Sequence, residues 1–513
     1  MNITPRAYQL AIFNSIMQKG NTLVVLPTGL GKTLIALMLI REKMEASATR
    51  GSPGKCLFMT PTKPLAKQHL LSTLKTLDLG EDVVALVSGE VTPKKRKETY
   101  ARASVIISTP QTIKNDVEKG IFDPKLVSLA VFDECHKSIG NYAYTKVAES
   151  IKDNALIVGL TASPGGKRDR IKEVLGALFI TNIEIRTQED PDVSPYVQKT
   201  SVRWIHTELS PTLKLIKLEL DEMVSEHAHK LGAMGFPPPL KSKGQFMKMR
   251  ERILRVNSGI KYAAIVQYSI LLNLLHMTEL IETQGVSALR NYMEKMDGKE
   301  SKSAGILRKK TGFLKVKELV NTDEEHPKLK LLIDLMLGEM KGKKAIIFAQ
   351  YRDQIKRIVE ELQKNGIPAK QFVGKKDGVT KKIQEETIAE FREGKFLVMV
   401  ASSIGEEGLD IPAVDSVIFY EPIPSEIRSI QRRGRAGRFK EGEIIILVTR
   451  GTRDEYYHWS SIRREKKMKE IVGGMQRKMS GEKKEGKKGE GKTEVVEPAA
   501  QPLNPGQSKI SDF

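Results

Sequence analysis

The chain has 513 residues, of which 40% are hydrophobic and 29% charged, and its formal net charge is +21. This composition excludes a wholly disordered or fibrous chain, and the length suffices for roughly three domains. A cationic surplus of this size favours a polyanionic partner, above all nucleic acid.

Cysteine content and hydropathy bear on where the protein acts. Cys56 and Cys135 are the only cysteines, too few for a disulfide framework. No apolar run approaches the ~18 residues of a membrane span, and the N-terminus does not resemble a signal peptide. We therefore expect a cytoplasmic, nucleoid-associated protein without a targeting signal.

Two stretches of the chain alternate short apolar runs with helix-period segments, the pattern of βαβ units around a buried parallel sheet. The predicted strands of the first stretch cover residues 22–26, 55–59, 83–87, 104–107, 129–132 and 155–160. Those of the second stretch cover residues 345–348, 396–400, 416–419 and 443–448. The predicted fold class is therefore α/β, with two doubly wound parallel-sheet domains.

The segment between these stretches has helical periodicity and few β-forming runs, which predicts a helical insert. The Gly/Lys/Glu-rich and then Pro/Ala/Gln-rich end of the chain cannot bury enough apolar surface to order itself, which predicts a disordered tail. The predicted boundaries are 1–204 for the first domain, 205–325 for the insert, 326–474 for the second domain and 475–513 for the tail.

The sequence Pro-Thr-Gly-Leu-Gly-Lys-Thr at residues 27–33 lies between a predicted strand and a predicted helix. In this context glycines let backbone amides surround phosphates at a helix N-terminus. Lys32 would reach the β- and γ-phosphates of ATP, and the Thr33 hydroxyl would bind Mg²⁺. The strict phosphate-loop pattern has glycine where this chain has Leu26. The surrounding loop positions Thr28, Gly29 and Gly31 complete the predicted cofactor site.

Asp133 and Glu134 follow a predicted buried strand, at the sheet edge where open α/β domains bind ligands. We expect Asp133 to hold Mg²⁺ and Glu134 to orient and deprotonate the attacking water. A run of arginines at residues 431–438 of the second domain could reach across a cleft to the γ-phosphate as arginine fingers. Within that run the catalytic candidates are Gln431, Arg435 and Arg438.

The chain resembles superfamily 2 helicases in the order and spacing of its motifs. These are Gln9, residues 27–33, 60–63, 108–110, 133–136, 161–163, 402–410 and 431–438. The resemblance implies two RecA-like domains that close on ATP, with Gln9 and Arg6 reading adenine. It also implies that His136, Thr161 and Ser163 couple hydrolysis to movement, and that Gly408 and Asp410 lie near the nucleotide.

Residues 141–144, 282–285, 420–422 and 451–455 resemble the archaeal Hef helicases and their FANCM relatives. These carry a helical insert and act on forked or branched DNA, which implies a DNA helicase or translocase in replication-coupled repair or fork restart. Cys135 instead matches the Dicer and RIG-I-like branch, so a double-stranded-RNA translocase is the alternative. A non-catalytic, clamp-tethered binding platform is the alternative of another class. No XPF-type nuclease signature follows residue 470, and we expect no nuclease activity.

Strand-end loops of both domains are the expected nucleic-acid contacts, since their hydroxyls, amides and cations suit phosphates and do not read bases. The candidates are Thr60, Thr62, Lys63, Thr109, Gln350, Arg352, Ser402 and Ser403. Basic regions of the insert at residues 241–252 and 308–317 could add a duplex- or junction-binding surface, or could be solvated helix faces.

The last seven residues end a tail that is otherwise poor in large hydrophobic residues. Gln507, Ile510 and Phe513 have a spacing that would place the two apolar side chains on one side of a single turn. The peptide resembles the sliding-clamp (PCNA) interaction motif, without its usual second aromatic residue. A chance tail end is the alternative interpretation.

Overall fold

The computed structural model describes residues 3–50, 54–196, 201–240, 243–374, 380–402, 414–422 and 443–479. Within them, seven parallel strands form the sheet of the first domain, in the order β3-β4-β2-β5-β6-β1-β7. The strands are β1 (Thr22–Val25), β2 (Lys55–Met59), β3 (Val84–Val87), β4 (Val105–Ser108), β5 (Val127–Asp133), β6 (Leu156–Thr161) and β7 (Asn182–Ile185).

Helices cover both faces of this sheet, which explains why its strands read as nearly continuous apolar runs. Successive residues of β1 illustrate the alternation, since Leu23 and Val25 join one core cluster and Val24 joins the other. The helices are α1 (Ala7–Lys19), α2 (Lys32–Arg50), α3 (Lys63–Leu77), α4 (Pro93–Arg102), α5 (Pro110–Glu118), α6 (Ala143–Ile151) and α7 (Arg168–Ala177).

In the described part of the second domain, six parallel strands form a sheet in the order β10-β11-β9-β12-β13-β8. Its strands are β8 (Ser201–Thr207), β9 (Ala345–Phe348), β10 (Ala369–Phe372), β11 (Val398–Ala401), β12 (Ser416–Phe419) and β13 (Glu443–Thr449). The predicted α/β class with two parallel-sheet domains is confirmed. Between this domain's strands lie α15 (Arg352–Lys364) and α16 (Lys381–Glu393), and α14 (Pro327–Leu337) precedes β9.

Strand β8 crosses the predicted boundary between residues 204 and 205. It pairs with β13 along its whole length, from Ser201 opposite Glu443 to Thr207 opposite Thr449. The chain therefore leaves the first domain and adds an edge strand to the second sheet before it enters the insert. An edge strand with exposed residues such as Val202 lacks the fully apolar run that marks central strands.

The insert is an all-helical domain with its own core. Its helices are α8 (Pro211–Ala233), α9 (Lys243–Leu254), α10 (Ile260–Thr283), α11 (Val286–Asp297), α12 (Lys302–Arg308) and α13 (Thr311–Leu319). Helix α10 is long and apolar enough to cross a membrane by length and composition alone. It is, however, the central helix of this domain, with Leu271, Leu274 and Met277 fully buried among its neighbours.

The last described helix, α17 (Arg453–Met479), joins the two RecA-like domains. It begins just after β13 of the second sheet, yet Met468, Val472 and Met475 belong to a core cluster of the first domain. Lys469 also lies 3.2 Å from Glu189 of the first domain. The end of the predicted 326–474 domain therefore packs on the other domain, because its helix presents an apolar stripe to that core.

Candidate nucleotide and nucleic-acid sites

The loop between β1 and α2 has the backbone geometry of a phosphate cradle. Gly29 and Gly31 have φ angles of +86° and +75°, a region that side chains with a Cβ rarely adopt. A Cβ on Gly31 would also lie 2.3 Å from Nε2 of Gln9. Because the loop opens α2, its amides lie at a helix N-terminus, where anions bind.

The charged and polar groups of this loop fit a nucleotide phosphate with Mg²⁺. Nζ of Lys32 donates hydrogen bonds to the carbonyls of Leu26 (2.8 Å) and Pro27 (3.4 Å), so the ammonium group lies over the loop. Among the described residues, the buried Oγ1 of Thr28 has no hydrogen-bond partner. A hydroxyl at Thr33 and a carboxylate at Asp133 are the hard oxygen ligands that Mg²⁺ prefers.

A cavity of about 280 Å³ lies beside the loop, and the two residues predicted to recognise adenine line it together with loop residues. Arg6, Gln9, Gly29, Gly31 and Thr33 all line this cavity. The amide of Gln9 donates to the Leu30 carbonyl (3.2 Å), so it also fixes the loop.

Two tyrosines that sequence reasoning missed support this end of the site. The Tyr8 hydroxyl donates to the Leu30 carbonyl at 2.8 Å. The guanidinium of Arg6 lies 4.8 Å from the centre of the Tyr196 ring, a cation–π contact. Neither tyrosine is part of a recognisable motif, so only the folded geometry reveals them.

Asp133 lies at the end of β5, next to the phosphate loop. Burial alone would raise the pKa of its carboxyl, but the hydrogen bond and charge of His69 and the charge of Lys32 hold it below its ordinary value. Nε2 of His69 lies 3.1 Å from its Oδ2. The Tyr144 hydroxyl donates to the Asp133 carbonyl at 2.7 Å. The carboxylate is thus charged and fixed in orientation.

Glu134 starts a chain of contacts that leads away from the nucleotide site. Its backbone is left-handed (φ 51°), and its Oε2 lies 3.2 Å from Nδ1 of His136. The same Nδ1 lies 3.1 Å from Oγ1 of Thr161, which in turn donates to the carbonyl of Ser163 at 3.1 Å. The Ser163 hydroxyl ends the chain 2.7 Å from the sulfur of Met468 on α17. The structure thus brings the three predicted coupling residues together.

The described nucleic-acid candidates lie at the carboxyl ends of β2, β4, β9 and β11. In the first domain, Thr62 and Thr109 precede the first turns of α3 and α5, and Lys63 lies 2.7 Å from Glu90. Thr60 is fully buried and donates to the Thr62 carbonyl at 2.9 Å, so its hydroxyl shapes the loop.

The candidates of the second domain are also held by local contacts. The backbone N–H of Gln350 donates to the Glu421 carboxylate at 3.1 Å, and the Arg352 guanidinium donates to the Gly374 carbonyl at 3.0 Å. Ser402 is buried directly after β11. The remaining candidates lie outside the described residues: Ser403, Gly408, Asp410, Gln431, Arg435, Arg438, Gln507, Ile510 and Phe513.

Comparisons with known proteins agree with this architecture. Residues 6–171 match the family described as DEAD/DEAH box helicase, and residues 327–440 match the helicase conserved C-terminal domain. The crystal structure of the Pyrococcus furiosus Hef helicase domain is 39% identical with a TM-score of 0.71, covering 89% of this chain and 98% of that one. The chain belongs to the Hef/FANCM family of superfamily 2 helicases.

Two curated relatives are longer than the part of them that matches this chain. A Methanocaldococcus jannaschii protein with the provisional name of an ATP-dependent RNA helicase is 38% identical over 92% of this chain and 61% of its own length. The ATP-dependent DNA helicase mph1 of Neurospora crassa is 33% identical over 89% of this chain and 42% of its own length. The chain therefore spans about half the length of these relatives.

Proposed function

We propose that this chain is an ATP-dependent DNA helicase or translocase that remodels forked and branched DNA. The observation that carries the proposal is the contact chain from Glu134 to Met468. It connects the candidate water-activating carboxylate with a helix that emerges from the second RecA-like domain. A group expected to respond to hydrolysis is thus in contact with a helix that connects the first RecA-like domain with the second.

Each residue of the nucleotide site has a distinct role in this mechanism. The loop amides and Lys32 hold the phosphates, while Gln9 and Arg6 hold the base side of the nucleotide. Thr33 and Asp133 would hold Mg²⁺, which neutralises phosphate charge when bound. Glu134 orients the attacking water and accepts its proton. His136, Thr161 and Ser163 transmit the change in Glu134 to α17.

Closure of the two domains would complete the site. We propose that Arg435 and Arg438, with Gln431, reach the γ-phosphate from the second domain, and that Gly408 and Asp410 lie beside the nucleotide. Opening after hydrolysis would change the grip of the strand-end loops, Thr62 and Thr109 on one side and Gln350 and Ser402 on the other. The expected contacts are to phosphates, so movement would be independent of sequence.

The test measures ATP turnover with single-stranded, duplex, forked and four-way DNA and with duplex RNA. We expect forked or branched DNA to stimulate most. Stimulation by duplex RNA alone would favour the RNA translocase. The provisional name of the M. jannaschii relative is a reason to include RNA in the test. No stimulated turnover with any substrate would favour the non-catalytic platform.

Two substitutions separate binding from catalysis. Lys32→Ala and Glu134→Gln should abolish unwinding while fork binding stays within a few-fold of the original protein, because neither side chain belongs to the candidate nucleic-acid contacts. Unwinding at normal rate by either variant would contradict the assigned roles.

We further propose a sliding clamp as a partner, bound through Gln507, Ile510 and Phe513. A short apolar peptide of this kind could dock in a clamp pocket while the motor works. Deleting residues 507–513 should abolish clamp capture and leave ATP turnover unchanged. Clamp capture by the deleted chain would refute this assignment.

A further inference from the structure

Helix α4 of the first domain carries a cluster of cations that the motor mechanism does not use. Lys94, Lys95 and Lys97 lie in its first two turns, and all three are exposed. Of the cations of α4, only Arg96 pairs with a carboxylate within the part of the chain that the structure describes. The single acid of this helix is Glu98, which is also exposed. We call the three exposed residues the α4 lysines.

A buried arginine anchors the other side of α4. Nε and Nη2 of Arg96 donate to the two carboxylate oxygens of Asp116 at 2.7 Å and 2.6 Å, and Nη1 donates to the Val91 carbonyl. The Tyr100 hydroxyl donates to the same carboxylate at 2.7 Å. Arg96 and Tyr100 are four residues apart, so they share one side of the helix and the α4 lysines occupy the other. Because Asp116 belongs to α5, α4 is fixed to the helix that begins directly after Thr109.

The sheet topology places the α4 lysines next to the candidate nucleic-acid contacts. Strands β3, β4 and β2 are parallel neighbours in that order, so their carboxyl ends lie at one edge. Lys63 follows β2, Thr109 follows β4, and residues 88–92 lead from β3 into α4. Nζ of Lys63 lies 2.7 Å from Oε1 of Glu90, which brings the loops after β2 and β3 into contact. The α4 lysines therefore continue the row of strand-end contacts toward the edge of the sheet.

The position of these cations within the helix also favours an anion. The first turn of α4 contains no acid, and within the described structure the side chain of Thr92 does not cap the helix. The N-terminus of a helix is the positive end of its dipole, so it repels lysines and attracts phosphates. A phosphate at this place would be attracted by the helix end and by the lysines together.

We propose that the α4 lysines bind DNA phosphates and extend the path of the bound strand beyond Thr109. The loops after β2 and β4 hold one part of the strand, and the α4 lysines hold the phosphates that follow. The ligand is the sugar–phosphate backbone, because ammonium groups of this kind contact phosphates without reading bases. This inference rests on the proposed function, since it takes DNA as the ligand of the strand-end loops.

The first experiment compares two triple variants of the full chain that remove the same charge. The control lysines are exposed and lie at the opposite, amino edge of the same sheet. Fork binding is measured by fluorescence anisotropy over a range of salt concentrations. The test variant should reduce the slope of log affinity against log salt by about 2 to 3, as loss of three phosphate contacts requires. The test variant is K94Q/K95Q/K97Q, and the matched control is K119Q/K125Q/K152Q.

The control should keep the slope within about one unit of the original value. An unchanged slope in the test variant would overturn the proposal. An equal loss in both variants would overturn it as well, because net charge alone would explain the effect. Thermal unfolding of both variants shows whether they are folded, and Arg96 is left in place because it is part of the anchor.

A second experiment measures how far the DNA path extends. Forks are trimmed by one nucleotide or base pair at a time, from each end in turn. At one end the original protein should lose affinity over about three steps, one phosphate for each lysine. The test variant should be insensitive to the same three steps, because its path already ends before them. Identical trimming curves for the two proteins at every end would overturn the proposal.

A third experiment tests the contact in the original protein, without any substitution. Lysine side chains are acetylated with an amine-reactive reagent, with and without saturating forked DNA, and mapped by mass spectrometry. DNA should protect the α4 lysines and leave Lys119 and Lys125 reactive. Equal reactivity of the α4 lysines in both conditions would overturn the proposal. Failure of the proposed function would appear separately, as ATP turnover that no DNA stimulates.

Discussion

Nε2 of His69 lies 3.1 Å from Oδ2 of Asp133, within the interior of the first domain. The ring of Phe58 also contacts the imidazole, with centroids 4.4 Å apart. His69 belongs to α3, the helix that begins at the candidate nucleic-acid residue Lys63. One helix therefore joins the expected DNA contact with the carboxylate expected to hold Mg²⁺.

Replacing His69 with alanine should weaken Mg²⁺-dependent nucleotide binding. Without the imidazole, Asp133 loses the partner that fixes its orientation and helps keep it charged despite burial. Loss of a group that orients a metal ligand commonly costs about 10- to 100-fold in metal affinity or activity. The measurement is binding of a fluorescent ADP analogue as Mg²⁺ is titrated. His69→Gln, whose amide can still donate, should recover part of the loss, and equal Mg²⁺ dependence in all three proteins would contradict the role.

Met468 provides a second prediction, because its sulfur contacts Ser163 and its side chain is almost fully buried in the first domain's core. Met468→Ala should destabilise the protein by about 2–5 kcal/mol and reduce DNA stimulation of ATP turnover several-fold. The unstimulated rate should change little. Val472→Ala removes packing from the same helix without touching the contact chain. If it reduces DNA stimulation equally, packing alone explains the effect. Met468→Leu, which conserves volume, should retain stability.

Most of the central strands could be predicted from the sequence, because strands buried on both faces are apolar throughout. Strands β7, β8 and β10 escaped prediction since polar residues interrupt them, as Glu184, Arg203 and Gln371 do. The phosphate loop and the Asp133–Glu134 pair were recognisable because each depends on neighbouring residues in a fixed order. His69, Tyr8 and Met468 were not, because their roles arise from contacts between distant segments.

The two basic regions of the insert illustrate the same limit. Both have the composition of a nucleic-acid surface, and no one-dimensional pattern distinguishes them. In the described structure, lysines of the region at residues 308–317 pair with acids that other helices supply. These acids are Glu226 and Glu219 on α8 and Asp297 on α11. Charge balance is decided by what the fold places beside each cation.

We predict that the protein loses stability in mild acid because of the buried side chain of His326. Its Nε2–H donates to the Glu282 carbonyl at 3.0 Å, and its Nδ1 accepts from the Lys328 amide at 3.2 Å, so both nitrogens are used by the neutral ring. Burial and the nearby charge of Lys328 hold the pKa of this imidazole well below 6.5. In the unfolded chain its pKa returns to about 6.5.

Acid favours the unfolded chain, because that state binds one more proton at His326 than the folded protein does. Below pH 6.5 the unfolded chain binds a proton that the folded protein excludes, so the free energy of unfolding falls by up to about 1.4 kcal/mol per pH unit. His326→Asn keeps a side-chain acceptor for the helix start and should remove this contribution. Unfolding curves between pH 7.5 and about 5 measure the difference. Parallel pH profiles for the two proteins would contradict the prediction. His227 is present in both proteins, so it contributes equally to both profiles.

Lys328 and Asp454 form an ion pair in which both side chains are fully buried. The pair joins α14 to the start of α17, with Nζ of Lys328 2.6 Å from Oδ2 of Asp454 and 3.1 Å from the Tyr420 carbonyl. Lys328→Met or Asp454→Leu alone should cost about 3–5 kcal/mol, since each leaves a buried charge without its partner. The double variant should lose less than the sum, because it buries no lone charge. Chemical denaturation of the four proteins measures the coupling, and additive losses would mean that the two charges do not depend on each other.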